Sequence, residues 1–482
     1  MTRTSSLTRT RLGAVVAGCF AALIVLASCT PESNNNNRNS NVAKVPPAAK
    51  RSVAPVNLSA IDPFANSSTP APPPSVYSGP LFQLNHNYPT TAPPPPNNPP
   101  WRQALNGQPI SSVNAIAYTN ALKLVITPAM KTLIFNYASW NAATSGWYNQ
   151  PWLASIRDPI HGTYVGSQFP ANTFTGQTTG LTTYVLPYYD SVAAYTLGQV
   201  WGQTALKPNI TTQASQFPEG GIIIKLALVT ASGTEWPAMQ GAAQWPVYAP
   251  NPNGPPDGPP ELINVYLMQC DIIVKDSLTS PKTGWVFTTL VFDNSVQGDA
   301  WDQMIPLGAM WGNDPDQNFA VNPAQLSETV INPDAPAYST ETLGWGGRLS
   351  GPNDGAVAAP GYVNGVITTV AASSCMSCHG VAEWPMQSFL LPSPPSVPII
   401  DNALVVFEPG STQWMPWFQD RAGTVPQDPG TVALDFDMVF AFKSLPAWQQ
   451  ATQSAQVGKL LHLFKKADSF RRGPKYNGIP ER

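Results

Sequence analysis

Between residues 152 and 292, short strand-type apolar runs alternate with turn-forming Pro, Gly and Asn. The clearest runs are LTTYVLPYY (181–189), GIIIKLALV (221–229), NVYLMQCDIIVK (264–275) and GWVFTTLVF (284–292). In the third, Tyr266, Met268, Cys270, Ile272 and Val274 recur at every second position and predict one apolar strand face. Cys270 on that face reads as a buried, inert core thiol. A helical segment fits Ala115–Ala138. The last periodic stretch, PAWQQATQSAQVGKLLHLFKK (446–466), sets Trp448, Ala451, Ala455, Leu461 and Phe464 on one stripe behind Pro446, and predicts an amphipathic helix. The pattern as a whole predicts an α+β protein. A β-sandwich-like domain spans 101–345, and a small, mainly helical C-terminal module spans 346–482, opened by the glycine-rich hinge LGWGGRLSGPNDG (343–355).

The first apolar run, Leu12–Ala27, follows Arg3, Arg9 and Arg11 and reads as a signal peptide over 1–28. It ends in LASC, which resembles the lipobox of bacterial lipoproteins. That resemblance implies lipidation of Cys29 and a membrane-attached protein on the periplasmic side. Thr30 stands where an Asp would imply inner-membrane retention, so the expected site is the outer membrane. Residues 29–100 read as a disordered tether, because 17 prolines fall between 30 and 100 with almost no apolar periodicity. Within it, SVYSGPLFQLNHNY (75–88) has the aromatics to dock on the body as an arm, with His86 packing rather than ligating.

Composition narrows the function. Only 11% of residues are charged and the net charge is −3, becoming −3 − 3 = −6 once the three arginines of residues 1–28 are removed. Such a chain has no basic face for phosphates and is not expected to bind nucleic acid. No nucleophile-elbow, zincin or phosphate-loop motif occurs. Asp314, Asp316, Glu219 and Glu235 sit in turn-type strings and are expected to cap turns.

The chemistry concentrates in SSCMSCHG (373–380). Cys375, Cys378 and His379 fit C-x-x-C-H, the attachment pattern of covalent haem c. On one helical turn, residues three and four apart share a face. Two thiols can then form thioethers with one porphyrin edge while His379 serves as proximal iron ligand. A redox dithiol would want a βαβ setting, and a structural zinc site would want further ligands. Residues 360–482 resemble the haem module of single-haem c-type cytochromes. The wider chain resembles bacterial cytochrome c family proteins with a β-rich N-terminal region, through QFPEGGIIIK (216–225), GWVFTTLVF, WDQMIPLGAMWGNDP (301–315), GWGGRLSGP and SSCMSCHG. The stretch Gly351–Ala372 is longer than the usual link in that group. The resemblance implies one covalent haem c and a Met or His as second axial ligand. Met438 and Met415 are the candidates, ahead of Met386 and His462. Trp384, Trp414, Trp417 and Phe440 are candidate haem walls.

Two main expectations follow. One is a lipid-anchored carrier passing single electrons between exported redox proteins. The other is a haem-dependent oxidoreductase with its substrate at the β-rich domain. A glycan- or partner-binding module with exposed Trp and Tyr is a third.

Overall fold

The computed structural model describes residues 62–452, apart from residues 253, 255–257, 321–324, 355–358, 364, 365, 372, 396–398, 401 and 402. The signal peptide, Cys29, His462 and the second half of the 446–466 helix lie outside the described residues.

The body is α+β, built around one nine-stranded antiparallel sheet. Its strands are β1 (Trp147–Tyr148), β2 (Tyr164–Phe169), β3 (Leu181–Asp190), β4 (Ile222–Val229), β5 (Gln244–Pro250), β6 (Pro260–Lys275), β7 (Trp285–Phe292), β8 (Met304–Met310) and β9 (Thr329–Ile331). The order is β1-β3-β4-β6-β7-β8-β9, with β2 also on β3 and β5 also on β6. The four strands read from the sequence are β3, β4, β6 and β7, the centre of this sheet. Ala115–Phe135 is the expected helix, carried through Pro128.

Two expectations about covering are corrected. The alternation in β6 predicts one buried face, yet Gln269, Asp271 and Ile273 on the opposite face are buried too. The near-continuous apolar run of β4 requires the same double cover. Among the described residues, cover does not come from a second sheet of comparable size, as in a sandwich. Trp245, paired with Val265 on the Cys270 side of the sheet, donates its Nε1–H to the Ile134 carbonyl at 3.3 Å, which places the Ala115–Phe135 helix over the Cys270 face. The C-terminal segment covers the other face, where His379 packs edge-on against Phe287 at 4.9 Å between ring centroids.

The C-terminal region differs from a mainly helical module in its described part. It holds a four-stranded sheet (Ala359–Val363, Val366–Val370, Ile399–Ile400, Ala403–Val405), a two-stranded pair (Glu383–Trp384 with Val432–Ala433), the short helix Cys375–His379 and a terminal helical stretch over 440–452. Frequent Pro and Gly between 380 and 430 interrupt any long helical period. Nor is there a break in the core at 345/346. Met376, Ala382, Leu434, Phe440 and Leu445 belong to the same hydrophobic cluster as the large sheet.

The proline-rich stretch is corrected in the same way from residue 62 onward. Phe82 and Tyr88 are buried, Phe82 N–H donates to the Pro159 carbonyl at 3.0 Å, and Tyr88 Oη donates to the Asn149 carbonyl at 2.6 Å. A few aromatic anchors suffice to dock an extended chain that prolines have already stiffened. His86 stacks on Phe64 at 3.9 Å, a packing role as expected.

Candidate functional site

Ser374 starts the motif helix Cys375–His379. Its Oγ accepts from Ser377 N–H at 3.2 Å, and Ser377 Oγ accepts from Ser374 N–H at 2.7 Å. This reciprocal cap satisfies the first turn of a helix too short to hold itself. Cys375 N–H donates to the Leu349 carbonyl at 2.9 Å, and Trp345 N–H to the Ser373 carbonyl at 3.2 Å. The glycine-rich segment therefore acts as the seat of the motif helix. Gly344 faces it so closely that a Cβ there would meet the Ser373 carbonyl.

His379 Nδ1 lies 2.7 Å from the Phe436 carbonyl. A carbonyl only accepts, so Nδ1 carries the proton and Nε2 presents a lone pair. Burial, followed by the nearby Lys225 ammonium, lowers His379 to about 4. The ring is therefore neutral near pH 7, the form that ligates a metal. Cys375 and Cys378 stand three apart on the same turn, half-buried, and are not joined by a disulfide.

His379 lines a small hollow of about 40 Å³ that is partly open to solvent. Its apolar wall comes from Pro187, Ile223, Ile273 and Trp285 on the sheet, and from Phe436 and Met438 on the C-terminal segment. Met438 is thus brought into the same hollow as His379. Met415 does not line it, and packs against Trp345, Trp414 and Phe418 in a second cluster that Met438 also touches. The candidate walls are also redistributed. Trp414 and Trp417 belong to that second cluster, and Phe440 packs against Trp201 and Phe217. Trp384 and Met386 flank the main core without lining the hollow.

An ionic network of buried Asp271, half-buried Lys225 and exposed Asp354 sits at the hollow's edge. Lys225 Nζ pairs with Asp271 at 2.8 Å and with Asp354 at 2.6 Å. Asp271 also accepts from Thr289 Oγ1 at 2.7 Å and Gln269 Nε2 at 2.9 Å. Burial first, and then the Asp354 and Asp271 carboxylates, push the Cys375 thiol well up. That is the reverse of what a reactive dithiol needs, which is a stabilised thiolate. Among the described residues, no group of three or more His, Cys, Asp or Glu side chains could hold a metal ion, so a zinc cluster has no donor set there.

The remaining candidates take ordinary roles. Cys270 is fully buried and its thiol is raised by burial. Asp314 accepts from Ser327 N–H at 2.6 Å, Glu219 pairs with Arg102 at 3.1 Å, and Glu235 accepts from Ser232 N–H at 2.9 Å. Sequence reasoning missed Lys225, although a lone cation inside GIIIKLALV was a signal for a buried ion pair. It also missed Asp435 and Phe436, whose only signal was the Asp-Phe-Asp string before Met438.

No protein-family model, no curated protein and no solved structure matches this chain.

Proposed function

We propose that the chain is an exported c-type cytochrome, holding one haem c covalently through Cys375 and Cys378 and exchanging single electrons with exported redox proteins. The observation that carries this reading is the state of His379. Its Nδ1 proton is committed to a backbone carbonyl, its ring is neutral, and it stands beside two cysteines in an apolar hollow. Metal-ligating histidines commonly donate their other ring N–H in this manner, which fixes ring direction and raises donor strength.

A haem bound here would supply one-electron exchange at its iron. The chain's own part is to attach, orient and shield. Cys375 and Cys378 would attach the group, His379 Nε2 would offer its lone pair to the iron, and Pro187, Ile223, Ile273 and Trp285 would shield it from water. Met438, which lines the same hollow as His379, would be favoured over Met415 as a further iron ligand. Lipidation at Cys29 would hold the body at the periplasmic side of a membrane, with the outer membrane preferred.

The second reading, a haem-dependent oxidoreductase, draws on the fact that the hollow is shared between the sheet and the C-terminal segment. It differs in requiring an iron position left open. The glycan-binding reading has less support: among the described side chains no Trp or Tyr is exposed.

The test is an absorption spectrum of the mature chain made in a host that matures c-type haem. Haem that stays with the denatured chain, and is lost in Cys375→Ala/Cys378→Ala, is the expected result. A wild-type chain without covalent haem refutes the proposal. Met438→Leu is expected to turn a low-spin spectrum high-spin, while Met415→Leu leaves it unchanged. A wild-type haem that is already high-spin and binds carbon monoxide moves the assignment to the oxidoreductase.

A further inference from the structure

The peptide that orients His379 is held in an unusual backbone. Asp435 and Phe436 have consecutive left-handed conformations, with φ of 47° and 67°. Asp tolerates this region, but a bulky aromatic residue rarely enters it, and such a conformation persists only where its surroundings over-determine it. Here the surroundings are specific. The buried Asp435 carboxylate takes Lys275 Nζ at 2.7 Å, Trp285 Nε1 at 2.8 Å and Phe217 N–H at 2.8 Å. Lys275 and Trp285 are register partners on β6 and β7. Two residues on, the Asp437 carboxylate takes Tyr189 Oη from β3 at 2.8 Å and caps Phe440 N–H at 2.9 Å. Gly423 leaves the space that the Asp435 carboxylate fills, since a Cβ there would collide with it.

The geometry points to Asp435, Lys275 and Trp285 as positioning residues for His379. Through the buried Asp435 carboxylate, the sheet fixes the Phe436 carbonyl, which in turn sets the tautomer and direction of the imidazole. A plain ion pair for stability would not explain why the grip falls on the one peptide that bonds the ring, nor why it holds that peptide in a left-handed turn. The haem reading of the preceding section supplies only the purpose of that orientation; the positioning itself can be measured with or without haem. The sheet then completes the site that the short motif helix leaves unsupported.

The test compares full-length mature wild type, Asp435→Asn, Lys275→Met and Trp285→Phe, with Cys270→Ala as a control on the opposite sheet face. In chain made without haem, ¹⁵N-histidine spectra report the ring tautomers, and His379→Gln assigns the His379 signals among the four histidines. Wild type is expected in the Nδ1–H form. The positioning variants are expected to raise the other tautomer at least tenfold, and Cys270→Ala to leave it unchanged. In chain that carries haem, loss of the Nδ1 bond weakens the imidazole as a donor and favours the reduced iron. The oxidised-to-reduced ratio at fixed potential should then fall at least threefold in the same variants. Folded positioning variants that keep the wild-type tautomer and ratio overturn the inference, as does an equal change in Cys270→Ala. A wild type with no covalent haem refutes the cytochrome reading alone, because the tautomer measurement still decides the positioning.

Discussion

Leu226, Cys270 and Leu290 lie in register on β4, β6 and β7, fully buried on the face toward the long helix. On the opposite face Asp435, Asp437 and Lys275 are almost as deeply buried, but they meet the sheet through hydrogen bonds and an ion pair. The first region is held by area removed from water, a force without direction. The second is held by directional contacts that cost desolvation and fix atoms in place. One face of the same sheet therefore supplies stability, and the other supplies orientation.

The sharpest way to break this comparison is to delete apolar volume on the first face. Leu226→Ala removes a fully buried side chain, and such changes cost about 2–5 kcal/mol. Denaturant unfolding should show that loss, with the His379 tautomer unchanged while the protein remains folded. A change in the tautomer would mean that the two faces are not separable in this way.

Gly344→Ala attacks the second face next. The new methyl would meet backbone, the Ser373 carbonyl and the Ser374 Cα, neither of which can swing aside. Overpacking of this kind costs about 1–3 kcal/mol. Because the strain falls at the cap of the motif helix, haem attachment should drop by more than thermal stability does. A chain that loses stability but attaches haem as wild type would show that the seat is not specific to the motif. Ser374→Ala is the milder version. It removes one half of the reciprocal cap, worth about 0.5–2 kcal/mol, and is expected to slow attachment at Cys375 without changing the unfolding of the sheet.

The same division governs what the sequence makes legible. The central strands and the long helix could be read because apolar periodicity is local: each residue's side follows from its neighbours two, three or four positions away. The motif was legible because its three chemical groups fall within five residues. What covers a face is not local, so the sandwich and the mainly helical module were inferred in place of the long helix and a C-terminal segment that mixes short strands and helical turns. The orienting peptide was least legible. Asp435 meets Lys275 across 160 residues, and only the fold brings them together. Lys225 in β4 was the better clue, since a cation in a run of buried residues demands a partner, here Asp271 and Asp354.

The smallest expected effect is a change in pH dependence. Glu383, four residues beyond His379, is raised to about 7, first by burial and then by the Asp428 carboxyl beside it. An unfolded Glu titrates near about 4.3. The folded chain thus holds this proton more tightly than the unfolded chain does. Its contribution to stability is fully present below about pH 4.3 and is lost as pH rises through about 7. His379 and His161, both lowered to about 4 by burial first, act in the opposite sense. Their contribution is present above about 6.5 and is lost as pH falls through about 4. The melting temperature should therefore decline on both the acid and the neutral side. Glu383→Gln keeps an oxygen to accept from Asp428 N–H and Thr431 Oγ1, both 2.9 Å from Glu383 Oε2, but has no proton to lose. It should flatten the neutral limb in part, because Asp190 and Asp437, raised by burial to about 7 and about 6, remain on it. The acid limb should be untouched. An unchanged neutral limb would mean that Glu383 stays ionised and that Arg421 or solvent compensates it. A changed acid limb would mean that Glu383 is coupled to His379, which would join the two side chains into one titrating unit.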